Sequence, residues 1–216
     1  MDLFPLLNSL RVAFIATAVA FFTGVFAAYY IERAPRLVRG VLDMLLTLPL
    51  VLPPTVIGFV LLKLLGPRGP VGSLTGARLV MVWYSAAFAS LAVSFPLMYR
   101  TARGAFGAFD HSLRQAGQTL GRSNTYVFWR VIIPNCRSGL LAGTALTFAR
   151  ALGEYGATSM IAGYTPGRTA TIATTVYQMW RTNDDEKAYL WIAINLALSL
   201  IVLTALTFFE RGRKHA

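Results

Sequence analysis

FDHSLRQAGQTLGRSNTYVFWRVIIP, residues 109–134, is the stretch whose reading decides the fold. It carries Arg114, Arg122 and Arg130 against one acid, Asp110, and long apolar runs flank it on both sides. Ionised side chains are costly at the centre of a bilayer. If the flanks cross a membrane, this segment stands in water, as a surface for another protein to grip.

The whole chain supports membrane-crossing flanks. Of its 216 residues, 56% are hydrophobic and 13% are charged, whereas soluble domains carry about 25% charged residues. The formal net charge is +11. In a soluble protein that excess suggests nucleic acid. Here the basic residues cluster between apolar runs, the pattern of the positive-inside rule, so nucleic acid is not the expected partner. A lone cysteine, Cys136, excludes an internal disulfide and a cysteine metal cluster. His111 and His215 lack metal-ligand spacing, and no cofactor is expected. The N-terminus MDLFPLLNSL has no basic n-region, so no cleavable leader is expected.

A helical span needs about 20 apolar residues. Five segments qualify: Leu6–Ile31, Gly40–Leu65, Leu79 to about Tyr99, Gly139–Gly163 and Ala188–Phe209. Gly66–Ala77, GPRGPVGSLTGA, reads as a loop. Within the second span, Pro49, Pro53 and Pro54 remove backbone donors and should kink or break the helix. That break is either structural or the lining of a pathway. The apolar part of Thr169–Trp180 is too short to cross and reads as interfacial, re-entrant or internally buried.

Charge sets the expected topology. With the N-terminus outside, five spans put three basic segments in the cytoplasm. These hold Arg33, Arg36 and Arg39; then Arg100, Arg103, Arg114, Arg122, Arg130 and Arg137; then Arg211, Arg213 and Lys214. The opposite side receives Arg68 and Arg78, and a loop where Arg168, Arg181 and Lys187 meet Asp184, Asp185 and Glu186. Six spans would split the basic tail from the basic central loop.

Within the central stretch, Leu113–Leu120 can form a short helix, and Gly121 sits where a helix stops. TYVFWRVIIP then restarts a helix, and Pro134 marks the next break. A short helix followed by a glycine stop suits docking into a partner's groove or lying on anionic lipid. The spacing resembles the cytoplasmic motif of binding-protein-dependent ABC import permeases: Glu-Ala-Ala, three residues, Gly, nine residues, Ile-x-Leu-Pro. Gln115, Ala116 and Gly117 occupy the first three places, Gly121 the glycine, Val131 the isoleucine, and Ile133 and Pro134 the close. Gln115 replaces the expected Glu, and Gly117 the second Ala. The resemblance implies that Gln115, Ala116, Gly117, Leu120, Gly121, Val131 and Pro134 couple to an ATPase.

In FARALGEYG, residues 148–156, Arg150 and Glu154 stand four apart, so on one helix they share a face. Ionisable residues inside a span usually face a bundle interior or a polar cavity. The pair reads either as a structural lock or as a lining or gate. No Ser/His/Asp or metal-ligand group accompanies it, so no catalytic residue is assigned. Thr169, Thr171, Thr174 and Thr175 beside Arg168 either satisfy a short buried helix or offer donors to an oxyanion.

FARALGEYGATSMIAG with GYTPGRTATIATTVY resembles the C-terminal half of oxyanion permeases. The molybdate type is nearest, with sulfate and tungstate permeases as relatives; Tyr164 stands where Asn is commoner. The resemblance covers nearly the whole chain. It implies an all-α, multi-pass cell-membrane protein of the type I ABC importer permease fold, with residues 1–216 as one transmembrane domain. Its expected partners are a second copy of itself, two ATP-binding cassette subunits, an extracytoplasmic oxyanion-binding protein and the lipid bilayer. Arg150, Glu154, Arg168, Thr169, Thr171, Pro53 and Pro54 are the candidates for the path or gate. The chain contains no G-x-x-x-x-G-K-[ST] phosphate loop, so ATP hydrolysis is expected of a separate subunit. An intramembrane enzyme and a stand-alone channel or secondary transporter are the rival classes.

Overall fold

A computed structural model describes residues 2–211, and of residues 203 and 205–211 only the backbone course. The basic-tail residues Arg213 and Lys214, and the side chain of Arg211, lie outside the described residues. All regular structure among the described residues is helical.

Helix α1 spans Phe4–Ile31, with Pro5 in its first turn, where a missing N–H costs nothing. Among the described residues it is the one helix long and apolar enough to cross a bilayer on its own. Helix α2, Arg36–Thr47, buries no residue. It runs through a 3-10 turn, Leu48–Leu50, to α3, Pro54–Leu65. The Arg36–Leu50 and Pro54–Thr75 segments pass the crossing test jointly but are bent by 107°. Pro49 lies in the 3-10 turn, Pro53 caps α3 in an extended conformation, and Pro54 opens it. Three missing donors in six residues account for the bend.

Several boundaries differ from the sequence reading, among them the start of the last helix at Asp185 rather than Ala188. The 66–77 segment is not all loop, because α4 forms over Pro70–Thr75. Helix α5, Trp83–Gly107, starts later than Leu79 and runs well past Pro96 and Tyr99. Arg100 and Arg103 are therefore helical, not part of a loop. The fourth apolar run is two helices, α8, Ile133–Leu152, and α9, Gly156–Ile161, with Gly153–Tyr155 between them.

Between α5 and α8 stand α6, His111–Thr119, α7, Asn124–Val127, and a π turn, Phe128–Ile132, that continues directly into α8. Pro134 therefore ends no helix. It lies in the first turn after the π turn, where the wider winding accommodates its missing N–H. Helix α10, Ile172–Arg181, and α11, Asp185–Arg211, complete the described residues.

The core is α1, α5 and α8 packed side by side. Val25, Ala28, Met98, Tyr99, Ala102, Phe106, Phe128, Ile132 and Leu140 form its largest apolar cluster. Small residues set the spacing. A Cβ on Gly139 would lie 2.8 Å from Ala105 Cβ, and one on Gly143 would overlap Thr101 Oγ1. Close approach through small residues is how helices associate where the hydrophobic effect is weak. The outward faces are apolar: Phe14, Phe22, Leu196, Leu200 and Ile201 are exposed.

Candidate functional site

The 109–134 stretch folds as two short helices joined by a glycine. Asp110 caps α6: Oδ1 accepts the Ser112 N–H at 2.9 Å, and Oδ2 accepts the Ser112 hydroxyl at 2.7 Å. These bonds hold its carboxyl below the usual range. At the other end, Gly121 N–H donates to Gln118 O at 2.9 Å and Arg122 N–H to Gly117 O at 3.1 Å. Gly121 has φ +69°. The paired bonds and the left-handed residue make a Schellman stop.

Helix α6 buries no residue. Gln115 and Ala116 are exposed, and Leu120 is 78% exposed. The helix is held by few contacts. Gln118 Nε2 donates to Asn124 Oδ1 at 2.9 Å. A Cβ on Gly117 would lie 3.0 Å from Val127 Cγ2, so the departure from alanine at this position lets α6 lie close on α7. Its seat is firmer: Phe128 is buried, and its ring packs 4.3 Å from that of Tyr29 and 5.9 Å from that of Phe26. Val131 is half-buried in the π turn and Pro134 is exposed.

Beside this seat lies a charge network that the sequence reading missed. Arg103 pairs with Asp43 and, at 3.5 Å, with Glu32; Arg39 reaches Glu32 at 3.2 Å; the Tyr99 hydroxyl donates to Asp43. The network ties the end of α1 to α2 and α5. Its one local signal was two acids among many arginines.

A second constellation joins the two broken helices. The Arg150 and Glu154 side chains pair at 2.7 Å, but they share no continuous helix face, since α8 ends at Leu152. Glu154 lies in the break, its side chain 1% exposed, and Oε1 accepts the Ala157 N–H at 2.8 Å. One carboxylate thus closes the gap from both sides. The break in α8–α9 also meets the break before α3. A Cβ on Gly156 would lie 2.9 Å from Pro54 Cβ, and one on Gly58 would lie 2.7 Å from Ala157 Cα. Pro54, Arg150 and Glu154 are therefore gathered at one junction, with Pro53 as the cap of α3.

Arg168, Thr169 and Thr171 lie elsewhere. Asn8 of α1 donates to Thr169 O at 3.3 Å and Ala170 O at 2.9 Å, and Ser9 Oγ accepts the Ile172 N–H at 2.8 Å. The threonine hydroxyls are spent locally. Thr169 Oγ1 accepts the Thr165 N–H at 2.9 Å, and Thr171 caps α10 together with Thr174. Of the 168, 169 and 171 trio only Arg168 is exposed. This loop touches the start of α1, whereas the α6 seat touches its end. A helix of this length separates them by about 40 Å.

Residues 20–214 match the family described as binding-protein-dependent transport system inner membrane component. The chain belongs to this family. It is an ABC importer permease, and ABC transporters share its helical architecture. The inward-facing MetNI methionine ABC transporter superposes with a TM-score of 0.75 over 96% of this chain and 94% of that one, at 12% identity. Among curated permeases it is similar to the molybdenum transport system permease protein ModB of Escherichia coli (strain K12). The two are 37% identical over 202 residues, covering 91% of this chain and 88% of that protein. ModB of Azotobacter vinelandii is 31% identical over 210 residues, covering 95% and 92%.

Proposed function

We propose that this permease carries an oxyanion, molybdate first, into the cytoplasm by alternating access driven by separate ATPase subunits. The observation that carries the substrate is the end-to-end similarity to proteins named molybdenum transport system permeases. In this reading the chain is a single transmembrane domain in the inner membrane. It crosses five times, N-terminus out and C-terminus in, and works as a homodimer with two ATP-binding cassette subunits and an extracytoplasmic binding protein. It hydrolyses no ATP itself.

Helix α6 is the element the ATPase grips. It is exposed, capped at both ends and lies on a segment anchored by Phe128, so a push on it reaches α1, α5 and α8 through Phe128 and the Glu32–Arg103–Asp43 network. Gln115, Ala116, Gly117, Leu120 and Gly121 make the contact surface, with Val131 and Pro134 in the seat. The junction of Pro53, Pro54, Arg150 and Glu154 is the gate region, because breaks in two helices coincide there and broken helices are tolerated where they line a path or are buried in protein.

The test is reconstitution of permease, ATPase and binding protein in vesicles. ATP-dependent uptake of molybdate, competed more strongly by tungstate than by sulfate, is the expected result. Uptake by the permease without its ATPase would overturn the reading.

A further inference from the structure

We propose that Arg11 and Arg168 form a binding site for a tetrahedral oxyanion at the end of the bundle opposite α6, a proposal that rests on the oxyanion reading above. A cavity of about 270 Å³ opens there between the start of α1, the entry to α5 at Met81–Tyr84 and the turn at Gly167–Arg168, and Arg11 and Arg168 are both among its lining residues. Neither pairs with a carboxylate among the described residues. Two unneutralised cationic residues lining one concavity favour the entry of an anion.

The site is built, not incidental. The Arg11 guanidinium lies 3.4 Å from the centre of the Trp83 ring. Stacked this way it loses rotational freedom but keeps its N–H edge, the part that grips an oxyanion in fork geometry. The backbone that carries Arg168 is fixed by its neighbours. The buried Asn8 amide holds Thr169 O and Ala170 O, and Gly167 turns the chain with φ +66°. The third wall carries Met81 at φ +56°, a conformation a non-glycine residue holds only when its surroundings force it. Its N–H donates to Ile161 O at 2.9 Å, and its sulfur faces Gly163, where a Cβ would lie 3.1 Å away. Three chain segments that carry or adjoin the two arginines are thus held in place. A concave site of this size suits a small ion better than a flat protein surface.

The site would hold the ion transiently as it passes from the binding protein into the path. Its affinity must therefore be weak, which two exposed arginines provide. Arg11 belongs to this site although nothing in the motif spacing marks it.

Trp83 is a built-in reporter. The permease–ATPase complex, without binding protein, is titrated with sodium tungstate while Trp83 emission is read as the difference from a Trp83→Phe variant. A saturable change is expected, absent with sodium chloride at matched ionic strength. Arg168→Gln should weaken it about tenfold, the loss expected for one charge-assisted contact, and Arg168→Lys should restore part. In vesicles with saturating binding protein, Arg11→Gln should lower uptake while loaded binding protein still stimulates ATP hydrolysis. An unchanged tungstate titration in Arg168→Gln overturns the proposal. So does a loss of ATPase stimulation with the titration intact, which would make these arginines a protein-docking patch. If the unaltered complex imports oxyanion but its titration is flat, only the site falls. If it imports no oxyanion, both readings fall.

Discussion

Glycine does opposite work at the two candidate regions. At Gly121 a Cβ would meet nothing within 4 Å, yet the backbone has φ +69°; the residue is needed for its conformation. At Gly58 and Gly156 the backbone is ordinary helix, and space is what is missing. The exposed α6 region is therefore specified by local chemistry, and the buried junction by contacts between segments about a hundred residues apart. Substitutions should separate the two: the junction should fail as a fold, and α6 should fail as a transmitter.

The largest effect is expected at Gly58. Its nearest neighbours are the Cα and O of Ala157, backbone atoms that cannot rotate away. Gly58→Val should cost about 3 kcal/mol through overpacking, read as loss of folded subunit or a lowered unfolding temperature of the complex. Stability equal to the unaltered protein would mean that α3 and α9 part easily, and the contrast with Gly121 would vanish.

Next comes Glu154. Its carboxylate serves Arg150 and the Ala157 N–H together. Glu154→Ala removes both, at about 2 kcal/mol, less than a fully buried pair because Arg150 is a third exposed. Glu154→Gln keeps an acceptor for the N–H and should lose less. Thermal unfolding of the two variants side by side checks the order; equal losses would leave the charge pair as the whole effect.

The sequence made the local half readable. A helix over Leu113–Leu120 and a left-handed stop at Gly121 are written in neighbouring residues, and so is the break at Pro49–Pro54. The junction was legible only in part. The spacing of Arg150 and Glu154 gave their pairing, but the end of α8 between them follows from α9 packing on α3. The Glu32–Arg103–Asp43 network joins segments 56 or more residues apart at the Tyr99–Asp43 bond, so no window contains it. Arg103 lies in α5 and not in a loop because the charges after Tyr99 mark the edge of an apolar run, not the end of the helix. Thr169 and Thr171 were open to two readings, and their bonds within the loop favour the structural one.

Gly121→Val tests the transmitter. A β-branched residue is strained at positive φ, by about 1–2 kcal/mol, and nothing else at the site is disturbed. The Schellman stop should loosen while the subunit remains folded, so ATP hydrolysis should continue with little uptake. Gly121→Asn is the control, because asparagine tolerates the left-handed region. If valine couples as well as asparagine does, α6 does not transmit through its end.

The smallest effect lies at the other end of α6, and it depends on pH. Bonds from Ser112 hold the Asp110 carboxyl below its usual range. A carboxyl lowered in the folded state binds its proton less readily there than in the unfolded chain. Its stabilisation is therefore complete above the ordinary carboxylate pKa, about 3.9, and is lost as pH falls through the lower folded value. Acidification should fray the first turn of α6 before the bundle responds, because α6 buries nothing. A spin label at the exposed Gln115 reads this as a gain in mobility below that range. Asp110→Asn keeps the cap and should remove the pH dependence, while Asp110→Ala should raise mobility at every pH. Mobility that rises with acid equally in the asparagine variant would move the titrating group away from Asp110. The softness of α6 would then lie in its seat on Val127 and Phe128, and the two regions would differ less than their exposure suggests.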